Sequence, residues 1–151
     1  MKSALYKISE IELNYRPKVK ASDRPVLKCT EEIYEMFKQH WNLDQIGLIE
    51  EFKVIYLNRS NAVLGILNVS TGGLTGVVAD PRVIFAAAIK SAATGLIVCH
   101  NHPTMNLTPS EADITFTENL KNVADLLGIH IVDHLIINEE DYFSFACEEL
   151  L

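Results

Sequence analysis

Cysteine is scarce and scattered. The 151-residue chain has three, Cys29, Cys99 and Cys147, and no two of them form a C-x-x-C pair. That excludes a disulfide framework and a thiolate zinc knot, and Cys99, set in an apolar run, is expected as a small buried hydrophobe. Positive charge is also short, with 13 Lys and Arg against 20 Asp and Glu, a net charge of −7. A protein that grips phosphate backbones carries a basic surface. Nucleic acid is therefore not an expected partner of this domain alone, and the one local basic stretch is Arg16, Lys18, Lys20 and Arg24. No apolar run reaches the roughly 20 residues that cross a bilayer, and residues 1–25 lack the apolar segment of a secretory leader. The expectation is a cytoplasmic protein with no membrane partner. Glycines cluster in Thr71-Gly72-Gly73-Leu74-Thr75-Gly76. The Lys-Ser/Thr ending of a P-loop and the dinucleotide fingerprint are both missing, which leaves a turn or a close backbone approach.

What is present suits one hydrophobic core: 48% hydrophobic and 22% charged residues, with no repeat or low-complexity segment. Residues 4–15 partly alternate apolar with polar and predict an edge-like strand, one that could pair with another copy in a homodimer. Residues 16–28 form a basic, proline-containing connector. A helix is expected from Thr30, with the Thr30 hydroxyl as its cap, Glu31 and Glu32 in its first turn, and Ile33, Met36, Phe37 and Trp41 on its buried face, His40 lying off it. Residues 48–57 predict a strand buried on both sides, Asn58-Arg59-Ser60-Asn61 a hairpin turn, 62–69 the returning strand and Val77-Val78 a short extended piece. Asp80-Pro81 opens a helix expected to run to Ala93, with Ile84, Phe85, Ala88, Ile89 and Ala92 inward and Gly95 ending it. A strand over 96–99 follows, then a helix from Ser110 to Leu127 with Ile114, Leu120, Val123, Ala124 and Leu127 inward and Gly128 as its C-terminal cap. Strands over 129–137 and 142–146 close the chain. Strands mixed with crossing helices indicate an α/β (α+β) layered sandwich around a mixed sheet flanked by helices.

The chemistry concentrates in residues 95–113. An apolar strand empties into His100-Asn101-His102-Pro103, and Pro109-Ser110-Glu111-Ala112-Asp113 opens the next helix. Taken alone, Ser110 and Asp113 are the ends of a capping box, and either histidine alone is more often a surface or hydrogen-bonded residue. Together they offer two imidazoles and a carboxylate, which is the donor set of a catalytic zinc site with one position left for water. Ser110 can cap and also bond the water or an oxyanion. A proton shuttle that is not a ligand is still needed. Glu50 and Glu51 precede the central strand, and only one of the two can face inward. His130 and His134, four apart on a strand, are expected on one face as hydrogen-bonded sheet residues, with His134 as a partner orienting a ligand the alternative. A nucleobase deaminase would need a glutamate where His102 stands and cysteines where Ser110 and Asp113 stand.

His100-x-His102-Pro103 followed by Ser110-x-x-Asp113 resembles the JAMM motif of JAB/MPN metalloproteases, and most closely their RadC branch. Asp80-Pro81-Arg82-Val83-Ile84-Phe85, Asp133-His134-Leu135-Ile136-Ile137 and Tyr142-Phe143-Ser144-Phe145 are similar to further segments of that branch. Thr104-Met105 stands where Ser-Gly is usual and Val83 where a glutamate is, and neither removes a ligand. The resemblance spans residues 48–147 and implies a RadC-like JAB/MPN domain over 46–151 of cytidine-deaminase-like architecture, with 1–45 an unassigned extension. It implies zinc held by His100, His102 and Asp113, Ser110 on the oxyanion side, and Glu50, through the match of Glu-x-Phe to Glu50-Glu51-Phe52, as the base. The activity implied is hydrolysis of a peptide or isopeptide bond in a protein or peptide substrate. The alternative is a non-catalytic RadC-like binding module linked to DNA repair or mobile elements. Members of the branch usually carry a helix-hairpin-helix-like region ahead of this domain, for which this chain is too short.

Overall fold

A computed structural model describes residues 7–73 and 78–151 of the chain. Five strands, β1 (Glu51–Leu57), β2 (Val63–Thr71), β3 (Gly95–Asn101), β4 (His130–Ile137) and β5 (Tyr142–Ser144), form one sheet in the order β2-β1-β3-β4-β5. β1 is antiparallel to both β2 and β3, β3 and β4 are parallel, and β5 returns antiparallel on β4. Helices α1 (Thr30–Gln39), α2 (Pro81–Lys90) and α3 (Glu111–Leu127) cover the sheet. α3 makes the crossover that a parallel β3–β4 pair requires. The result is the layered α/β sandwich with a mixed sheet that the pattern of elements predicts.

Both faces of the sheet are packed, which is why β3 is buried at every position and β1 at all but its first. On one face Val54, Tyr56, Leu96 and Val98 pack under Ile84, Phe85 and Ala88 of α2 and Leu120 and Ala124 of α3. On the other, Ile55, Leu57, Ile97, Cys99 and Leu135 meet Ile33, Tyr34 and Phe37 of α1 and Trp41 beyond it. No helix among the described residues is long and apolar enough to cross a membrane.

Several local expectations are corrected. Residues 7–15 are exposed and form no strand: Ile8, Ile11 and Leu13 stand in solvent, and Tyr15 reaches edge strand β2 through its hydroxyl, which donates to Leu64 carbonyl at 3.3 Å, with no backbone ladder to hold an extended pairing. Residues 4–6 of that expected strand lie outside the described residues. Cys29, not Thr30, holds the N-cap position of α1 and contributes no side-chain bond, while the Glu32 carboxylate accepts from Lys28 N–H at 2.8 Å. Residues 74–76 of the glycine-rich bend and Val77 lie outside the described residues, and Val78 is exposed and not in a strand.

α2 begins as expected, with Asp80 accepting from Arg82 N–H at 2.9 Å, but it ends at Lys90. Ala92 takes a left-handed conformation (φ 54°) and Ala93 N–H closes on Ala88 carbonyl, a stop signal carried here by alanine instead of glycine. Gly95 therefore starts β3, and Ile89 and Ala92 face solvent. In α3 the inward set is Phe116, Thr117, Leu120 and Ala124; Val123 and Leu127 are exposed. The hairpin is as read: Asn61 has φ 57°, and Asn58 Oδ1 accepts from Ser60 and Ala62 N–H.

Candidate metal centre

The site is built where β3 ends and α3 begins. β3 pairs with β1 so that His100 lies opposite Phe52, and the two rings stack with centroids 5.9 Å apart. The pleat turns Asn101 to the opposite face. Asn101 Oδ1 accepts from Glu51 N–H at 2.8 Å, and its amide donates to the carbonyls of Ile46 and Ile49 at 2.7 and 2.9 Å. This residue, fully buried, pins the turn that carries Glu50 beside the strand that carries His100. The sequence reading passed over it, although a polar side chain between two inward-facing positions of a buried strand is a usable signal.

His102 leaves the strand and its Nδ1 hydrogen bonds to Asn106 carbonyl at 2.7 Å. Ser110 caps α3: its hydroxyl accepts from Asp113 N–H at 3.1 Å, and Asp113 Oδ2 accepts from Ser110 N–H at 2.8 Å. The capping box is therefore real, and it does not compete with a second role for Asp113. It holds the carboxylate so that Oδ1 lies 3.3 Å from His100 Nε2 and Oδ2 3.2 Å from His102 Nε2. The two Nε2 atoms are 3.0 Å apart. His100, His102 and Asp113 thus turn their donor atoms toward one point.

The donor set can be tested against zinc. Bonds of about 2.0–2.1 Å in a tetrahedron place neighbouring ligand atoms about 3.3–3.4 Å apart. The two imidazole nitrogens stand 3.0 Å apart, each lies 3.2–3.3 Å from its nearer Asp113 oxygen, and one donor atom from each residue lies within 4.8 Å of the other two, a gathering close enough for a shared ion.

A cavity of about 220 Å³ opens beside these atoms, lined by Glu50, Phe52, Ala79, Phe116 and His134 together with His100 and Asp113. Of the adjacent glutamates, Glu50 faces this cavity. Glu51 turns to the other side, where its carboxylate meets Lys53 Nζ at 3.6 Å and Thr71 hydroxyl at 3.5 Å. Burial raises the Glu50 carboxyl above the usual carboxylate range; His100 and His102 pull it down and Asp113 pushes it up again. Burial would raise Asp113 too, but the two imidazoles beside it and the Ser110 N–H hold it well below its usual value. The bond to Asp113 raises His102 against the opposing effect of burial. Burial, then the nearby His100, pushes His134 well down.

His134 does not share a face with His130. The β3–β4 register shifts between Leu96/Ile131 and Ile97/Asp133. This irregularity breaks the alternation, so His130 is exposed while His134 is fully buried against His100. Thr117, one turn along α3 from Asp113, meets the far side of the His134 ring.

A family model described as the RadC-like JAB domain matches residues 27–150. The chain belongs to the RadC-like JAB domain family. Among similar proteins are UPF0758 proteins of three bacteria. That of Flavobacterium johnsoniae is 46% identical over 99 residues, covering 66% of this chain and 43% of the relative. The Clostridium kluyveri protein is 46% identical over 102 residues (68% and 45%). In Porphyromonas gingivalis the figure is 43% over 103 residues (68% and 45%). The matched part of the chain thus spans less than half the length of these curated relatives. The family match takes in α1, whose residues share one core with the sheet of this RadC-like domain.

Proposed function

We propose that this RadC-like domain is a zinc-dependent metallohydrolase of the JAMM type, cleaving an amide bond, peptide or isopeptide, in a protein or peptide substrate. One observation carries the reading: two imidazoles and a carboxylate gather their donor atoms within 4.8 Å of one another, and two of these residues, His100 and Asp113, line a cavity with the Glu50 carboxyl, which is not one of the three. His100, His102 and Asp113 would hold the metal. Zinc there would supply Lewis acidity that activates water and polarises a carbonyl.

The chain's own groups then divide the remaining work. Glu50, raised above its ordinary value by burial, takes a proton from the attacking water and passes it to the departing amine. Asn101 keeps Glu50 in place through three hydrogen bonds, two to the turn before β1 and one to Glu51 at its start. Ser110 spends a lone pair on Asp113 N–H and keeps its hydroxyl proton to offer to a developing oxyanion. Phe52 and Phe116, packed edge to face at 5.5 Å, wall the cavity with apolar surface, and their low polarity strengthens the electrostatics within it.

The test is hydrolysis of a peptide and isopeptide substrate panel by zinc-loaded protein, with chelation and metal restoration as controls. Glu50→Gln is expected to keep its zinc and to lose activity by roughly 10²–10⁴-fold. Zinc-loaded protein inert on every substrate, with Glu50→Gln indistinguishable from the parent in every assay, would favour a binding module instead.

A further inference from the structure

We propose that His134 and Thr117 are positioning residues that lock His100 in the tautomer whose free lone pair faces the metal position. The geometry stands without the zinc reading; only its consequence for metal affinity rests on it.

The argument is a proton count. Thr117 Oγ1 lies 2.7 Å from the backbone carbonyl oxygen of Asp113. A carbonyl oxygen has no hydrogen to give, so the single hydroxyl proton of Thr117 occupies that contact. The same hydroxyl oxygen lies 2.6 Å from His134 Nδ1. Its proton being committed, it accepts there, and His134 carries its ring hydrogen on Nδ1. His134 Nε2 is then bare and lies 2.8 Å from His100 Nδ1, which must be the donor. His100 Nε2 is left with its lone pair, 3.0 Å from His102 Nε2 and 3.3 Å from Asp113 Oδ1.

His102 reaches the same state by a shorter route, donating from Nδ1 to Asn106 carbonyl. Two lone pairs and a carboxylate then converge on one point. The orienting partner of a metal-binding histidine is usually a carboxylate, a carbonyl or water. Here it is a second imidazole, fully buried and stacked on Phe145 at 4.5 Å, so it orients His100 without bringing another negative charge to the site. The relay also ends on the backbone of Asp113, whose side chain is the third donor. It thereby ties the end of β3 to the first turn of α3.

Thr117→Val removes the hydroxyl at nearly constant size, and Thr117→Ser restores it. Two readouts are taken on the full chain. Long-range ¹H–¹⁵N spectra of the metal-free protein report which nitrogen of His100 bears hydrogen, and competition with a chromophoric chelator reports zinc affinity. Circular dichroism melts confirm that each variant is folded. The parent is expected to show His100 as the Nδ1–H form. Thr117→Val should lose that preference and bind zinc about 10–100-fold more weakly, with Thr117→Ser close to the parent.

His100 protonated at Nε2 in the metal-free parent overturns the relay whatever the zinc result, and that measurement decides even if Thr117→Val fails to fold. A folded Thr117→Val that retains the parent's tautomer and zinc affinity overturns it as well. A parent with the Nδ1–H form and no zinc binding keeps the relay and removes the zinc reading, so the two failures are told apart.

Discussion

Asp133 and His134 are neighbours on β4, both buried, and they face opposite sides of the sheet. Asp133 is enclosed by donors: Oδ1 accepts from His134 and Ala146 N–H at 2.7 and 3.0 Å, and Oδ2 from Ser144 hydroxyl at 2.6 Å. These bonds end on β4, β5 and the turn that follows β5, and none leads to a metal donor. Its work is to fasten the turn after β5 back to β4. His134 spends its two nitrogens on Thr117 and His100, and the bonds lead outward to a cavity where acceptors face one another. A buried polar cluster whose bonds close on themselves holds a fold together. One whose bonds end in convergent lone pairs is prepared for a cation. Burial raises the Asp133 carboxyl in spite of its three donors, so even a saturated carboxylate retains a desolvation cost, whereas Asp113 beside the histidines is held low.

The contrast is broken most sharply by removing the carboxylate on each side. Asp113→Asn keeps an oxygen for Ser110 N–H but removes the charge. Zinc affinity, measured by chelator competition, should fall by at least the roughly 100-fold that loss of a supporting group alone can cost, with little change in melting temperature. Asp133→Ala should do the reverse. It orphans three donors, those of His134 and Ser144 buried and that of Ala146 partly so, and is expected to cost about 2–4 kcal/mol in a urea melt, while zinc affinity in the folded protein stays near the parent's.

A third effect separates the clusters by pH. Bonding to Asp113 raises His102 above its ordinary value. In the metal-free protein, protonated His102 therefore adds stability that is fully present below about pH 6.5 and is lost as pH rises through the higher folded value. Zinc needs the neutral ring, so affinity should climb over that same interval. Melts of metal-free Asp113→Asn should lack this dependence. The smallest effect belongs to Asp133→Asn: Oδ1 still serves both backbone N–H groups and only the Ser144 contact must reorient. A loss of about 1 kcal/mol is expected, and a loss as large as that of Asp133→Ala would show that charge, not hydrogen bonding, fastens the turn.

Periodicity makes much of this molecule legible in its sequence and topology hides the rest. The run at 48–57 announces two-sided burial, 96–99 an apolar strand, and Ser110 to Asp113 a helix start, because these signals are local. The two histidines and the aspartate are readable because two of them share a strand exit and the third sits in the next first turn. The face of His134 is hidden by the irregularity in β4, which shifts alternation without leaving a mark in residue type. Thr117 reads as a neutral helix residue until its neighbour across the layer is known. Asn101 reads as a spacer between ligands, although it places the carboxyl group assigned as base. Residues 7–15 mislead in the other direction, since alternation over so short a stretch proposes a strand that needs a partner to exist.

The central claim is that His100, His102 and Asp113 form one metal site. Its most direct test is a zinc titration of metal-free full chain, read by bound metal per protein, alongside His102→Ala. One ion per chain in the parent, with binding abolished in a folded His102→Ala, is the result predicted. No stoichiometric zinc in the metal-replete parent, or undiminished binding in His102→Ala, would contradict it.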